Sequence, residues 1–176
     1  LHHGNGTQHS FEDDPSILYL STHQYPFYPG TGSYYETGAG KGEGFTINVP
    51  LSAGYGDEDY AAVFERLLDP VALEFGPDMI LVSAGFDIHE RDPLGGMDVT
   101  SEGFAGIMAP IMNIAERHCD GKMVIALEGG YNIKAQSDSV KVVLKEMAGI
   151  TKTEFSALAK RADKAKIDHA LKPVIA

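Results

Sequence analysis

Two short apolar runs, Met79-Ile80-Leu81-Val82-Ser83-Ala84 and Met123-Val124-Ile125-Ala126-Leu127, constrain the fold of this chain more than any other feature. Each is too short for a helix and nearly continuous in hydrophobicity, the pattern of a parallel strand covered on both faces. Parallel strands cannot be joined by a tight hairpin, so the stretch between them has to cross over, usually as a helix. Thr100 reads as the N-cap of that helix, with Glu102 favourable in its first turn and an end near Arg117. Two further runs, Ile17–Ser21 ahead of Thr22-His23 and Phe45–Val49 stopped by Pro50, read as strands. From Asp57 to about Phe75, Tyr60, Val63, Phe64, Leu67 and Leu68 recur at helical spacing, with Pro70 as a break or kink. Residues 135–148 and 153–171 read as two amphipathic helices with Gly149 between them. The alternation predicts an α/β fold, a parallel sheet with flanking helices wound by right-handed crossovers. At 176 residues the chain suits a single domain, 1–176, with a sizeable core.

In open α/β sheets ligands bind beyond the carboxyl ends of the strands. The polar residues just past these runs are therefore the first candidates: Ser21 and His23, Asp87 and His89, then Gly129, Gly130 and Tyr131. A carboxylate directly after a buried strand is costly unless a cation or hydrogen-bond donors receive it. Asp87 fits that description, with a loop-bracing or helix-capping aspartate as the alternative. His2 and His3 are adjacent, so in an extended segment they point opposite ways and at most one faces any given ion. A hydrogen-bonded structural histidine is the other reading of either. A catalytic zinc site needs three protein ligands and an open fourth position. His2 or His3 and Asp87 are readily offered, and His9, His23 and His89 all stay open for the third. Tyr131 follows two glycines, which permit a tight turn that could hold its hydroxyl over a developing oxyanion, or simply pack it in the turn. Residues 25–44 form a long loop dense in glycine, proline and aromatics, which reads as a binding loop rather than a disordered tether.

Composition narrows the function classes. The formal charge of −11 disfavours a nucleic-acid partner, and an acidic surface serves solubility or attracts a cationic substrate. No apolar run approaches the roughly 18 residues of a membrane span, and no charged-then-apolar leader argues for export. Cys119 is the only cysteine, so no intrachain disulfide can form and a reducing, cytoplasmic location is expected.

Three segments in order, HHGNGTQHSFEDDPSILYLSTHQYPFYPGTG, SAGFDIHERDPLGG and LEGGYN, together resemble the zinc-dependent histone deacetylase family. The form is closest to the class II enzymes and to bacterial deacetylase-like amidohydrolases, a group that includes acetylpolyamine amidohydrolases and acetoin-utilisation proteins. The match runs from Leu1 to about Asn132 and is looser beyond. It implies an arginase-like α/β domain with a central parallel sheet that hydrolyses acetyl-amide bonds. The substrates implied are acetyl-lysine, acetylpolyamines or small acetylated amines, and an oligomer is compatible with them. By the resemblance, His2 and Asp87 are zinc ligands and Tyr131 polarises the substrate carbonyl. Phe27 and Tyr28 line a narrow channel, Asp92, Pro93 and Leu94 lie near its base and rim, and Gly129 and Gly130 flank it. Backbone carbonyls at Ser21 and Thr22 correspond to a potassium site beside the zinc, and those at Phe11, Asp14, Ile17 and Phe45 to a second. The aspartate of the family's Asp-x-His motif would fall immediately before Leu1, and its His-His acid–base pair further upstream. The 176 residues are therefore expected to be the C-terminal half of a catalytic domain, inactive or nearly so alone. The alternative is a non-catalytic half, truncated or requiring a partner. A manganese arginase-like hydrolase is disfavoured, since its sites use more carboxylates and Gly-Gly-Tyr points to deacetylation.

Overall fold

The computed structural model describes residues 1–175. Four strands form as two parallel pairs. β1 (Tyr19–Gln24) lies along β2 (Thr46–Leu51), with Tyr19 opposite Thr46 and Gln24 opposite Leu51. β3 (Ile80–Ala84) lies along β4 (Met123–Leu127), with Ile80 opposite Met123 and Ala84 opposite Leu127. Parallel pairing with flanking helices is the predicted architecture, gathered here into two two-stranded sheets. β1 runs further than its apolar run suggests, through His23 and Gln24, because hydrogen bonds rather than hydrophobicity hold its end.

The expected burial of β3 and β4 on both faces is not what the described residues show. Ile80, Val82, Ala84, Met123 and Ile125 pack against the core. On the opposite face Leu81 is 74% exposed and Val124 49%, so the strands alternate between core and solvent up to the exposed end of β4 at Leu127.

The helices explain the crossovers. α1 (Asn5–Phe11) starts with Gln8 N donating to Gly4 O at 3.0 Å. The predicted helix from Asp57 is α2 (Asp57–Val63), a wide π turn (Phe64–Leu68) and α3 (Asp69–Phe75). The wide turn sits immediately ahead of Pro70, which lacks an N–H and would crowd the carbonyl four residues back in a regular helix. α4 (Gly103–His118) starts later than predicted, but Thr100 still serves it, its Oγ1 accepting from Gly103 N at 3.1 Å. Asp57 holds Thr100 in turn, through the amide at 2.8 Å and the hydroxyl at 2.7 Å, tying the starts of α2 and α4 together. α5 (Ile133–Met147) is capped by Asn132, whose side chain accepts from Ala135 N. The stretch 153–171 divides into α6 (Phe155–Ala159) and α7 (Lys164–Leu171), because Asp163 caps a new start at Ala165 N, 2.9 Å away. No helix among the described residues is long and apolar enough to cross a membrane.

Two backbone contacts assemble the ends of the strands. Gln24 N, at the end of β1, donates to Leu1 O at 2.9 Å, and Phe86 N, after β3, donates to Gly129 O, after β4, at 2.8 Å. Residues 1–3, 25–32, 85–97 and 128–132 thus meet at one end of the strands.

Candidate metal and substrate site

Asp87 is the centre of that meeting point. It is 1% exposed, on the turn that leaves β3. Its Oδ1 accepts from the Leu1 nitrogen at 3.0 Å, and its Oδ2 lies 3.1 Å from Nδ1 of His2. Gly129 leaves the space this requires: a Cβ there would overlap Asp87 Oδ2. Tyr60 lies deep behind, its buried hydroxyl lacking a partner among the described residues. Burial first, then the nearby charges of Asp87 and Asp59, push its phenol far above the ordinary range.

The adjacent histidines divide as the alternation of an extended segment requires. His2 turns to Asp87 and is ringed by aromatics. Phe27 stacks on it with centroids 5.7 Å apart and planes at 24°, and Tyr28 and Tyr131 meet it edge-on at 5.8 and 6.4 Å. Phe27 is half-buried, whereas Tyr28 is 76% exposed and Tyr131 52%, so one wall of the site faces outward. His3 turns away and is buried, with Nδ1 2.8 Å from Thr31 Oγ1 and Nε2 2.8 Å from Gln8 Oε1.

The other histidines left open by sequence are placed elsewhere. His9 is exposed on α1. His89 is a buried structural residue: its Nε2 meets Ser101 Oγ at 3.1 Å and its Nδ1 accepts from Arg91 N at 3.0 Å. His23 is fully buried, with Nε2 2.8 Å from Gly32 O and Nδ1 3.0 Å from Ser21 Oγ. Because a carbonyl only accepts, Nε2 carries the proton and Nδ1 accepts from the serine. Desolvation lowers the His23 pKa to about 4, with the Gly32 hydrogen bond opposing it. Among the described residues no group of three His, Cys, Asp or Glu side chains converges on one point.

Tyr131 is held by a residue whose part sequence reasoning did not specify. Asp92, buried on the loop after β3, accepts from Tyr131 N at 2.7 Å through Oδ2 and from Leu94 N at 2.9 Å through Oδ1. Asn132 Nδ2 adds a bond to Arg91 O at 2.8 Å. The carboxylate therefore fastens the Gly129-Gly130-Tyr131 turn to the Pro93-Leu94 turn, both of whose apolar residues are exposed. The only sequence signal was Asp-Pro after a strand, which marks a turn without naming its partner.

The carbonyls that the resemblance assigns to potassium fall in ordered backbone. Ser21 and Thr22 sit mid-strand in β1, opposite Asn48 and Val49. Phe11 O accepts from Asp14 N at 3.0 Å, Asp14 O from Ile17 N at 3.2 Å and Phe45 O from Tyr19 N at 2.9 Å. Each of these three retains a second lone pair for another partner.

The donor set fits part of a zinc centre. Zinc binds imidazole nitrogen and carboxylate oxygen at about 2.0–2.2 Å in a tetrahedral arrangement, which sets two such donors roughly 3.3 Å apart. His2 Nδ1 and Asp87 Oδ2, at 3.1 Å, are already spaced as such a pair.

Comparison with known proteins shows the family. Residues 1–147 match the model of the histone deacetylase domain. A protein of Archaeoglobus fulgidus named "Probable deacetylase" is 46% identical over 149 residues, covering 84% of this chain and 42% of that protein. Human "Histone deacetylase 9" is 44% identical over 158 residues, 85% of this chain and 15% of its own length. The solved structure of the histone deacetylase Clr3, a protein of Schizosaccharomyces pombe, superimposes with a TM-score of 0.87 at 41% identity, over 98% of this chain and 30% of that one. The chain thus spans less than half the length of these relatives. They are archaeal and eukaryotic, so they give no particular support to a bacterial form. With most of its length under the domain model and its fold shared with Clr3, this chain belongs to the histone deacetylase family.

Proposed function

We propose that the full-length protein is a zinc-dependent amidohydrolase that removes acetyl groups from N-acetylated amines. The observation that carries this reading is the pairing of His2 Nδ1 with the buried Asp87 carboxylate at 3.1 Å, beside Tyr131. His2 and Asp87 would hold the metal. When bound, zinc polarises the acetyl carbonyl and lowers the pKa of water towards about 7. The rest is the work of this chain's residues. Tyr131 donates its hydroxyl to the acetyl oxygen, a hydrogen bond that strengthens as negative charge develops there. Asp92 fixes the turn that presents that hydroxyl. Phe27 and Tyr28 flank the alkyl part of the substrate and keep bulk water off the reacting carbonyl, which strengthens each electrostatic contact inside. Acetyl-lysine, acetylpolyamines and small acetylated amines all suit such a wall. The carbonyls of Ser21 and Thr22, and those of Phe11, Asp14, Ile17 and Phe45, are proposed as potassium positions that stiffen the floor of the site.

A second reading rests on the absence of a third converging donor among the described residues. Tested as an isolated polypeptide, residues 1–176 are expected to turn over little or no substrate, a non-catalytic half of the activity. The deciding experiment is a panel of acetylated peptides, polyamines and small amines against the full-length protein, with Asp87→Ala and Tyr131→Phe as controls. Zinc-dependent turnover abolished by the first and cut at least ~100-fold by the second supports the reading. Turnover that survives both substitutions refutes it.

A further inference from the structure

Behind His2 lies a buried chain of polar side chains with a definite direction. Glu36 stands at its outer end, with Oε1 accepting from the Gly32 and Ser33 amides at 2.8 and 2.9 Å. Its Oε2 accepts from Gln8 Nε2 at 2.7 Å. A carboxylate only accepts, so Gln8 has to present its NH2 outward and its carbonyl inward. That carbonyl, Oε1, receives Asn48 Nδ2 at 2.7 Å and His3 Nε2 at 2.8 Å. Two consequences follow from donor and acceptor roles alone. His3 carries its proton on Nε2, and its Nδ1 accepts from the Thr31 hydroxyl at 2.8 Å. Gln8 is 3% exposed, His3 4% and Asn48 1%, so water does not compete for these bonds. Burial raises the Glu36 carboxyl, but the bonds from Gln8, Ser33 and Gly32 outweigh it and hold the group below its ordinary value, as an acceptor-only anchor needs.

The chain joins both walls of the His2 pocket. Through Gln8 and His3 it grips the segment that carries His2. Through Gly32, Ser33 and Thr31 it grips the loop that carries Phe27 and Tyr28. The two walls also touch directly at Gly32, where a Cβ would overlap the His23 ring and lie 2.7 Å from His3 Cγ, and where φ is +88°.

We propose that Glu36 is a positioning residue that sets the hydrogen-bond polarity of the Gln8–His3 relay, and thereby the placement of His2 and of its aromatic wall. As it concerns how His2 is aimed at a metal, the proposal rests on the zinc reading above, but its first readout does not need the metal. Glu36→Gln brings an amide NH2 against the NH2 of Gln8. Gln8 then has to turn over, meeting the Nε2 proton of His3 with a donor, and His3 must shift its proton to Nδ1 or lose the contact. Combining Glu36→Gln with Gln8→Glu reverses the swap. The amide at position 36 now donates inward, reversing that one bond, while the carboxylate at position 8 accepts from His3 and Asn48, so the directions at those two residues are restored.

The experiment is 15N–1H correlation of the ring nitrogens in [15N]histidine-labelled full-length protein, with the His3 signal assigned from a His3→Asn sample. It is paired with zinc affinity measured by competition against a chromophoric chelator. The expected result is an Nε2-protonated His3 in the parent and in the double variant, and a shifted or unbound ring in Glu36→Gln. Zinc affinity should fall about 10–100-fold in the single variant and return in the double one. An unchanged His3 signal in Glu36→Gln overturns the proposal. So does a shifted signal that the double variant fails to restore, because Glu36 would then brace the loop without setting polarity. Failure of the parent to bind zinc would instead strike at the zinc reading, while the ring signals still decide the relay.

Discussion

Replacing Asp92 tests most directly whether the turn bearing Tyr131 is held from outside itself. The carboxylate accepts two good backbone bonds, Tyr131 N at 2.7 Å and Leu94 N at 2.9 Å, while Gly95 N at 3.4 Å is too long to count for much. Hydrogen bonds to a charged acceptor contribute about 1.5–3 kcal/mol each. Tyr131 is half exposed, so water can take up part of the loss at its amide, and the lower end of that range applies. Asp92→Ala should therefore destabilise the protein by about 2–4 kcal/mol, and Asp92→Asn by roughly half of that, since one acceptor oxygen remains. For a domain of this size each kcal/mol moves the midpoint by about 2–4 °C, so the alanine variant should melt roughly 4–16 °C lower. Differential scanning calorimetry measures the shift, and amide exchange at Tyr131 and Leu94 localises it. The reasoning fails if Asp92→Ala melts within ~1 °C of the parent with the Tyr131 amide still protected.

Three further outcomes follow from the same structure. Gly129→Ala places a methyl group against Asp87 Oδ2 and should push the carboxylate off His2, lowering zinc affinity by about 10–100-fold in the chelator competition; unchanged affinity refutes the steric argument. His23, with its pKa at about 4 when folded against about 6.5 unfolded, makes the unfolded state the better proton acceptor. Its contribution to stability is thus flat above pH ~6.5, declines as pH falls towards ~4 and levels off below, a loss on the order of 3 kcal/mol that urea titrations across that window should show and His23→Gln should flatten. Lys166 Nζ donates to Asp59 Oδ2 at 2.5 Å and Gly54 O at 2.8 Å, fastening α7 to the loop after β2. Lys166→Met should therefore lower stability by about 1–2 kcal/mol in chemical denaturation, and a variant as stable as the parent would show that packing alone holds α7.

Much of the fold could be read because its signals are local. The parallel strands at 80–84 and 123–127 are bounded by their own apolar runs, and α4 and α5 by the periodicity between. Errors arose where a side chain rather than hydrophobicity sets the boundary. Asp163 starts α7 in the middle of an apparently continuous helix. The exposed pair Leu81 and Val124 could not be foreseen, because a continuous apolar run does not say which of its faces will be covered. At the site, Asp87 and Tyr131 could be picked out from their position after strands, but the resemblance rather than spacing separated His2 from His3. The Glu36–Gln8–His3 chain joins residues 28 and 5 positions apart in sequence, and no periodicity relates them.

The polar groups buried here differ in the company they keep, and that difference carries the functional argument. Asp92 has backbone amides on both oxygens, and His23 and His89 each have both ring nitrogens engaged. These are groups whose desolvation is offset by fixed partners, and such groups define a shape. Asp87 is as deeply buried as any of them, yet it has only the Leu1 nitrogen on one oxygen and an imidazole nitrogen beside the other. The imidazole that meets this buried carboxylate is ringed by aromatics, two of them largely exposed. The groups held by fixed amides and side chains therefore mark the frame, and Asp87, which meets the imidazole of His2, marks the site. Substitutions in the frame should move stability first and metal affinity second, whereas Asp87→Ala should abolish zinc binding while leaving the melting temperature of the metal-free protein nearly unchanged or raised, since it removes a poorly compensated buried charge. A metal-free protein that loses more than ~3 kcal/mol on Asp87→Ala would show instead that this carboxylate belongs to the frame.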